Sequence, residues 1–274
     1  MDLTIALIFA AALLAIGWIA GQPYLRERRR RRLRAQPFPA EWDAILRRYM
    51  PYFRALPGAL RQQLKQHMQV FIAEKEFIGC DGLVVTDAMR VTIASYACLL
   101  ILNRRTDYYP QLRQILIYPD AFVVDTREYD EAGVLHQERQ VRIGESWSRG
   151  QVILSWRDAV EDAKFFNDGF NVLIHEFAHQ LDQEKGSATG APILGEGMTY
   201  GNWSEILADA YEDLQRREQR GEESLFSYYG ATNPAEFFAV ISEVFFEKPR
   251  ELAEQHAELY RQLAAFYRLD PKTW

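Results

Sequence analysis

The chain has 274 residues, of which 48% are hydrophobic and 26% are charged, a composition typical of a folded globular protein and not of a disordered one. The net charge of −6 is unevenly spread, because the chain without residues 1–34 carries 25 basic and 36 acidic side chains. Such an acidic body repels nucleic-acid phosphates, so we expect no nucleic acid among its partners.

The first element along the chain is an apolar segment. Residues 3–20 read LTIALIFAAALLAIGWIA and contain no charged side chain. As a helix they span about 27 Å, close to the hydrocarbon thickness of a bilayer. Seven arginines follow within residues 26–34, and basic residues mark the cytoplasmic flank of membrane helices. The pattern predicts a single-pass anchor in the inner (cytoplasmic) membrane, with the body of the protein on the cytoplasmic side.

Two other interpretations of this segment fit less well. A cleaved signal peptide carries positive charge before its apolar run, whereas only Asp2 precedes this one. A buried helix of a soluble domain does not require a one-sided block of arginines. We therefore predict a transmembrane anchor over residues 1–25, an Arg-rich juxtamembrane linker over residues 26–36, and one main domain over residues 37–274.

Periodicity predicts the secondary structure of the main domain. From Glu41 to about Arg104 apolar residues recur at helical spacing, and the last helix covers residues 86–103. Short β-branched or aromatic segments then predict strands at residues 115–119, 121–125, 140–144 and 152–156. Helices return at residues 171–184, 203–220, 234–247 and 256–267. This order is typical of a mainly helical α+β domain with a small β-sheet.

The helix over residues 171–184 contains the motif His-Glu-Phe-Ala-His at positions 175–179. Each helical residue advances 100°, so His175 and His179 lie one turn apart, where two imidazoles can share one zinc ion. Glu176 flanks that face and can reach a water at the metal without binding the metal. The alternative is a helix with two unrelated histidines. Since the chain has only five histidines, this spacing around a glutamate favours the metal interpretation.

A catalytic zinc ion usually has a third protein ligand. Asp182 shares the histidine face but lies two turns from His175, so we expect it beside the ligands and not among them. Two later helices offer acids on one face each: Glu205, Asp209 and Glu212 in the first, and Glu236, Glu243 and Glu247 in the second. Both sets also fit a solvated acidic face, and Glu236 fits a helix-capping position after Asn233 and Pro234. Periodicity does not choose among these acids.

Three stretches resemble the Mlc titration factor A family of zinc peptidases: KEFIGCDGLVVTDAMRVTIASYACLLIL, WSRGQVILSWRDAVEDAKFFNDGFNVLIHEFAHQLD and NPAEFFAVISEVFFEKP. The similarity covers roughly residues 37–270. It implies a zincin-like metallopeptidase fold in which Glu236 is the third zinc ligand beside His175 and His179. It also implies that Tyr229, seven residues before that glutamate, donates a hydrogen bond to the transition state. A packing or surface tyrosine is the alternative.

The motif and the resemblance together predict a zinc-dependent metallopeptidase that acts on a peptide or protein substrate, with Glu176 as the general base. The resemblance implies peptidase or aminopeptidase-like activity on small peptides, and a transcriptional repressor as a partner. The alternative is a module that sequesters such a regulator with weak or no peptidase activity. An intact Glu176 favours the enzyme, because a purely structural zinc site needs no base. The strand at 152–156 is either an edge that pairs with an extended substrate or an internal strand.

Overall fold

The computed structural model describes residues 3–104, 107–120, 122–129, 135–142, 144–145 and 150–274. The helices are α1 (Leu3–Arg34), α2 (Ala40–Tyr49), α3 (Tyr52–Ala55), α4 (Gly58–Glu74), α5 (Asp87–Leu99), α6 (Trp156–Asp162), α7 (Val172–Asp182), α8 (Tyr200–Arg220), α9 (Pro234–Glu247), α10 (Pro249–Gln255) and α11 (Ala257–Tyr267). The strands are β1 (Glu76–Gly79), β2 (Gln114–Tyr118), β3 (Phe122–Tyr129), β4 (Leu135–Arg142), β5 (Gly144–Glu145) and β6 (Gln151–Ser155). Short 3-10 turns cover Gln183–Lys185, Tyr228–Ala231 and Pro271–Thr273.

The described part of the chain has the predicted mainly helical α+β character, with a small mixed sheet. Its strand order is β1-β2-β6-β5, in which β1, β2 and β6 run parallel and β5 runs antiparallel to β6. Strands β3 and β4 pair with each other, antiparallel, in a second sheet. The predicted strand at 152–156 is therefore internal, because β5 pairs with it at Ile153 and Leu154 on the side away from β2.

The core is formed by helices whose residues are buried on every side. Helix α5 begins after Thr86, whose hydroxyl accepts the N–H of Met89, and all its residues from Val91 to Leu99 are buried. Helix α9 is buried from Phe237 to Glu247. A helix that is apolar all round belongs in a protein interior, and α7 and α9 pack against each other there. This pair of helices carries the residues predicted to bind metal.

The N-terminal helix differs from the predicted membrane anchor. Helix α1 does not end with the apolar segment but continues through the arginine run to Arg34. Arg30 is 7% exposed there, and its guanidinium bonds both oxygens of Glu74 on α4 at 2.7 and 2.8 Å and also pairs with Asp107. At least part of the predicted cytoplasmic flank is thus an ion-pair network that attaches α1 to the domain.

Counting only the residues that the structure describes, no helix is both long enough and apolar enough to cross a membrane. The predicted transmembrane helix is therefore wrong by this criterion. The same holds for the membrane as a partner and for the single-pass location in the inner membrane with the catalytic domain on the cytoplasmic side. The division of the chain at residues 25 and 36 stays a prediction.

Candidate metal centre

Helix α7 presents a packing face and a polar face. It begins after Asn171, whose side-chain oxygen accepts the N–H of Ile174 at 3.0 Å and so satisfies one of the free donors of the first turn. On the packing side, the ring of Phe177 lies 5.8 Å from that of Phe71 and 5.3 Å from that of Tyr109. These contacts fix the rotation of α7, which turns His175 and His179 toward α9.

Three side-chain atoms converge between α7 and α9. His175 Nε2 lies 3.0 Å from Glu236 Oε2, and His179 Nε2 lies 3.2 Å from the same oxygen. The two imidazole Nε2 atoms are 3.2 Å apart. Among the described residues, these three side chains form the one group of histidines, cysteines and acids that can hold a metal ion.

The spacing of these atoms fits a divalent metal. An ion with ligands at ~2.0 Å in a tetrahedron keeps neighbouring ligand atoms about 3.3 Å apart, close to the three distances in the cluster. Two histidine nitrogens and one carboxylate oxygen also leave a fourth tetrahedral position for water or substrate. The residues present therefore fit a metal ion at the centre of the cluster.

The charges of the cluster are mutually dependent. Burial lowers the pKa of His175, but the carboxylates of Glu243 and Glu236 outweigh it and raise that pKa well above its ordinary value. Burial raises the pKa of Glu236, but hydrogen bonds from His175 and His179 outweigh it and lower that pKa well below its ordinary value. These pKa directions favour a proton on His175 and an ionised Glu236, and a cation that binds between them competes with that proton.

The two predicted catalytic residues lie beside this group. Glu176 is 3% exposed on α7, and its charge contributes to the raised pKa of His175. Tyr229 belongs to the 3-10 turn before α9; it is 55% exposed, and its ring centroid lies 5.8 Å from that of His175. The Tyr229 ring is thus half-exposed at the rim of the cluster. The catalytic roles of Glu176 and Tyr229 stay predictions.

The other acids considered as ligands lie elsewhere. Glu205 and Asp209 are exposed on α8, as a solvated acidic face requires. Asp182 is buried at the end of α7, where Oδ2 accepts the N–H groups of Thr189 at 2.7 Å and Gly190 at 2.6 Å. Gly190 has φ of +75°, and a Cβ there would lie 2.5 Å from the carbonyl oxygen of Pro234. Asp182, at the end of α7, therefore bonds a glycine that packs against Pro234, the first residue of α9. This contact lies two residues before Glu236.

Sequence reasoning missed the roles of two buried acids on α9. Glu243 bonds His175 and the backbone of Asn171, and Glu247 bonds the loop before α7 through Asn167 and Asn171. A signal for their burial was present, because nearly every other residue of α9 is apolar. Acids on a helix that is apolar on all sides are enclosed by the core, not by solvent.

One of these acids gives a testable pH dependence of stability. Burial raises the pKa of Glu247 to about 7 from its ordinary value of 4.5, although hydrogen bonds from its neighbours lower it. Between these two values the folded protein keeps a proton that the unfolded chain has released, so the free energy of unfolding falls as the pH rises. In urea titrations of metal-free protein at several pH values, we expect Glu247→Gln to remove up to about 3 kcal/mol of this fall.

The exposed Glu254 on α10 provides the control for this prediction. Glu254→Gln removes a carboxyl that water already solvates, so the pH profile of that variant should overlay the wild-type profile. A Glu247→Gln profile as steep as the wild-type one would show that other groups cause the fall; Asp162, whose pKa burial also raises to about 7, would be the first to test.

Comparison with known proteins places this chain in a family. The chain matches the family described as glucose-regulated metallo-peptidase M90 over residues 25–268. It is 41% identical to an uncharacterized protein of Synechocystis sp. over 97% of both chains. It is 35% identical to proteins named Mlc titration factor A from Cronobacter sakazakii, over 85% of this chain and 87% of that one, and from Serratia proteamaculans, over 85% and 88%.

The fold and the site define the class of protein. It is a mainly helical α+β domain of the metallopeptidase type, with a group of side chains between two packed helices that can hold a metal ion. The chain belongs to the glucose-regulated metallopeptidase family M90. The resemblance to the Mlc titration factor A family found in the sequence motifs is thereby confirmed.

Proposed function

We propose that this chain is a zinc-dependent peptidase. The observation that supports the proposal most directly is the convergence of His175, His179 and Glu236, whose ligand atoms lie 3.0–3.2 Å apart. Two histidines with one glutamate form the donor set of catalytic zinc sites such as that of thermolysin. When bound, zinc lowers the pKa of a coordinated water and polarises a substrate carbonyl.

The protein's own residues then perform the proton transfers. Glu176, buried beside the histidines, accepts the proton of the attacking water and passes it to the amine that leaves. Tyr229, at the rim next to His175, donates a hydrogen bond to the oxygen on which negative charge develops. Because Glu176 is only 3% exposed, bulk water is largely excluded from its carboxylate. This exclusion strengthens the electrostatic interactions of that carboxylate.

Metal removal tests this function. We expect chelated protein to stop cleaving a peptide library and zinc to restore cleavage, because the proposed chemistry requires the ion. Half of the library should carry acetylated N-termini, since an aminopeptidase needs a free amine and an endopeptidase does not. Cleavage that persists in the chelated, metal-free protein would contradict the proposal.

A second candidate function follows from the relatives that are named Mlc titration factor A. In this function the chain captures a transcriptional regulator, and peptide hydrolysis is weak or absent. A purified regulator of that class, passed over immobilised wild-type protein, tests capture directly. If zinc-loaded protein cleaves no peptide but retains the regulator, this second function becomes the better explanation.

A further inference from the structure

Helix α9 supplies a second acid to the metal centre, two turns beyond Glu236. The carboxylate of Glu243 is buried, and each of its oxygens has a hydrogen-bond partner. Oε1 lies 2.7 Å from Nδ1 of His175, and Oε2 accepts the N–H of Asn171 at 2.6 Å. Burial of a charged group costs free energy unless it is hydrogen-bonded. Here one bond goes to His175 of α7 and the other to Asn171, the residue just before that helix.

The contact with His175 determines which ring nitrogen is available. A carboxylate oxygen only accepts hydrogen bonds, so Nδ1 of His175 must carry the proton. In a neutral ring the other nitrogen, Nε2, then presents its lone pair. This is the atom that lies 3.0 Å from Glu236 Oε2 and 3.2 Å from His179 Nε2. Glu243 therefore turns the ligand nitrogen of His175 into the cluster.

The second histidine lacks such a partner. Nδ1 of His179 is buried and has no hydrogen-bond partner among the described residues. Of the two imidazoles, only His175 has both its tautomer and its ring plane set by an acid. The two histidines of the motif, equivalent in sequence, are thus held differently by the fold.

We propose that Glu243 is a positioning residue of the metal centre, which fixes the tautomer and ring plane of His175 and at the same time holds the backbone at the start of α7. The proposal rests on the metal site of the proposed function but does not depend on peptide hydrolysis. Glu243 acts on the metal through His175, since its oxygens bond His175 and Asn171 and it is not part of the group whose atoms converge on the metal position.

The chain offers a matched control one turn further along α9. Glu247 is 1% exposed, and its oxygens accept the N–H of Asn167 at 2.5 Å and the side-chain amide of Asn171 at 3.1 Å. It shares with Glu243 the helix, the burial and the neighbour Asn171, but within the described part of the chain it bonds asparagines where Glu243 bonds a histidine. A purely structural role for buried acids of α9 therefore predicts similar effects for both.

Glutamine at position 243 separates the two roles without changing the shape of the side chain. The two bonds of Glu243 end on different oxygens, and glutamine keeps only one of them. In the same side-chain position it can therefore accept from Nδ1 of His175 or from the N–H of Asn171, but not from both. With the amide nitrogen toward His175, the proton of a neutral ring moves to Nε2 and blocks the metal. With the nitrogen toward Asn171, two donors face each other at the start of α7. Either arrangement disturbs the ligand.

The experiment titrates metal-free wild type, Glu243→Gln and Glu247→Gln with Co²⁺ against a competing chelator. It records the dissociation constant, the visible absorption of bound Co²⁺ and the melting temperature of the metal-free proteins. We expect Glu243→Gln to bind Co²⁺ 10–100-fold more weakly, with a changed absorption spectrum, the usual effect of losing a partner behind a ligand. Glu247→Gln should stay within about threefold of wild type, although either variant can melt at a changed temperature.

Equal Co²⁺ affinity and spectrum in Glu243→Gln and wild type would overturn the proposal, and so would equal losses in the two variants. If wild type binds no Co²⁺, the metal site itself is refuted and the proposal falls with it. If Glu243→Gln does not fold, ¹⁵N spectra of zinc-loaded wild type decide the matter. They should show His175 protonated at Nδ1 and metal-bound at Nε2, and the opposite assignment would refute the proposal. None of these measurements depends on peptide hydrolysis, so absence of peptidase activity would contradict the proposed function but not the role of Glu243.

Discussion

Replacing Glu176 by glutamine is expected to lower kcat for peptide hydrolysis by at least ~100-fold while the metal stays bound. Glu176 is buried on the same helix as His175 and His179, yet it is not one of the three side chains that converge in the cluster. Glutamine preserves the size of the side chain but cannot accept a proton at neutral pH. The loss should therefore appear in kcat, with little change in KM, because substrate binding does not require the base.

The measurement compares steady-state cleavage of one peptide by zinc-loaded wild type and Glu176→Gln, with zinc content and melting temperature determined on the same samples. Glu161→Gln, which replaces an exposed carboxyl on α6, is the control and should retain wild-type rates. Near-normal turnover by Glu176→Gln would exclude the general-base role. A variant that has lost its zinc would instead make Glu176 part of the metal site's structure.

The sequence predicted those parts of the site that depend on local geometry. The spacing of His175 and His179 fixes their relation because a helix repeats every 3.6 residues, and the structure places both imidazoles in one cluster. The packing face of the same helix was predictable for the same reason, and Phe177 lies in the aromatic core. Helices α8, α9 and α11 also begin and end within a few residues of the predicted bounds.

Tertiary relations were not predictable in this way. Glu236 lies 61 residues from His175 along the chain, so only the resemblance selected it over Glu205. The bond from His175 to Glu243 also joins separate helices, and periodicity placed Glu243 on a face that was equally consistent with solvent. Strand β1 has only four residues and depends on its parallel pairing with β2, which no local pattern encodes.

The N-terminal helix illustrates the same limit. Its arginines suggested a membrane flank because their neighbours along the chain are apolar. In the fold, the decisive neighbours are Glu74 on α4 and Asp107, which pair with Arg30, together with Tyr108, whose ring lies 4.8 Å below the same guanidinium. A partly buried charge network of this kind depends on residues 44 and 77 positions away along the chain, and a hydropathy profile of neighbouring residues does not detect them.

Replacing Glu236 by glutamine is expected to weaken zinc binding by more than ~100-fold, a larger loss than that of a partner behind a ligand. Glu236 supplies the one carboxylate oxygen in the cluster, and that oxygen lies within 3.2 Å of both imidazole nitrogens. An amide oxygen carries no full charge and is a poorer match for a divalent cation between two neutral rings. Zinc competition titrations on the metal-free protein measure the loss directly.

Glu205→Gln is the matched control for this prediction, because Glu205 was the rival ligand and the structure leaves it exposed on α8. Its zinc affinity should equal that of wild type. The three acids should therefore rank in order of their distance from the metal: Glu236 with the largest effect, Glu243 with an intermediate one and Glu205 with none. Unchanged zinc affinity in Glu236→Gln would remove this residue from the ligand set. If Glu205→Gln lost zinc instead, the metal would lie away from the cluster that α7 and α9 form.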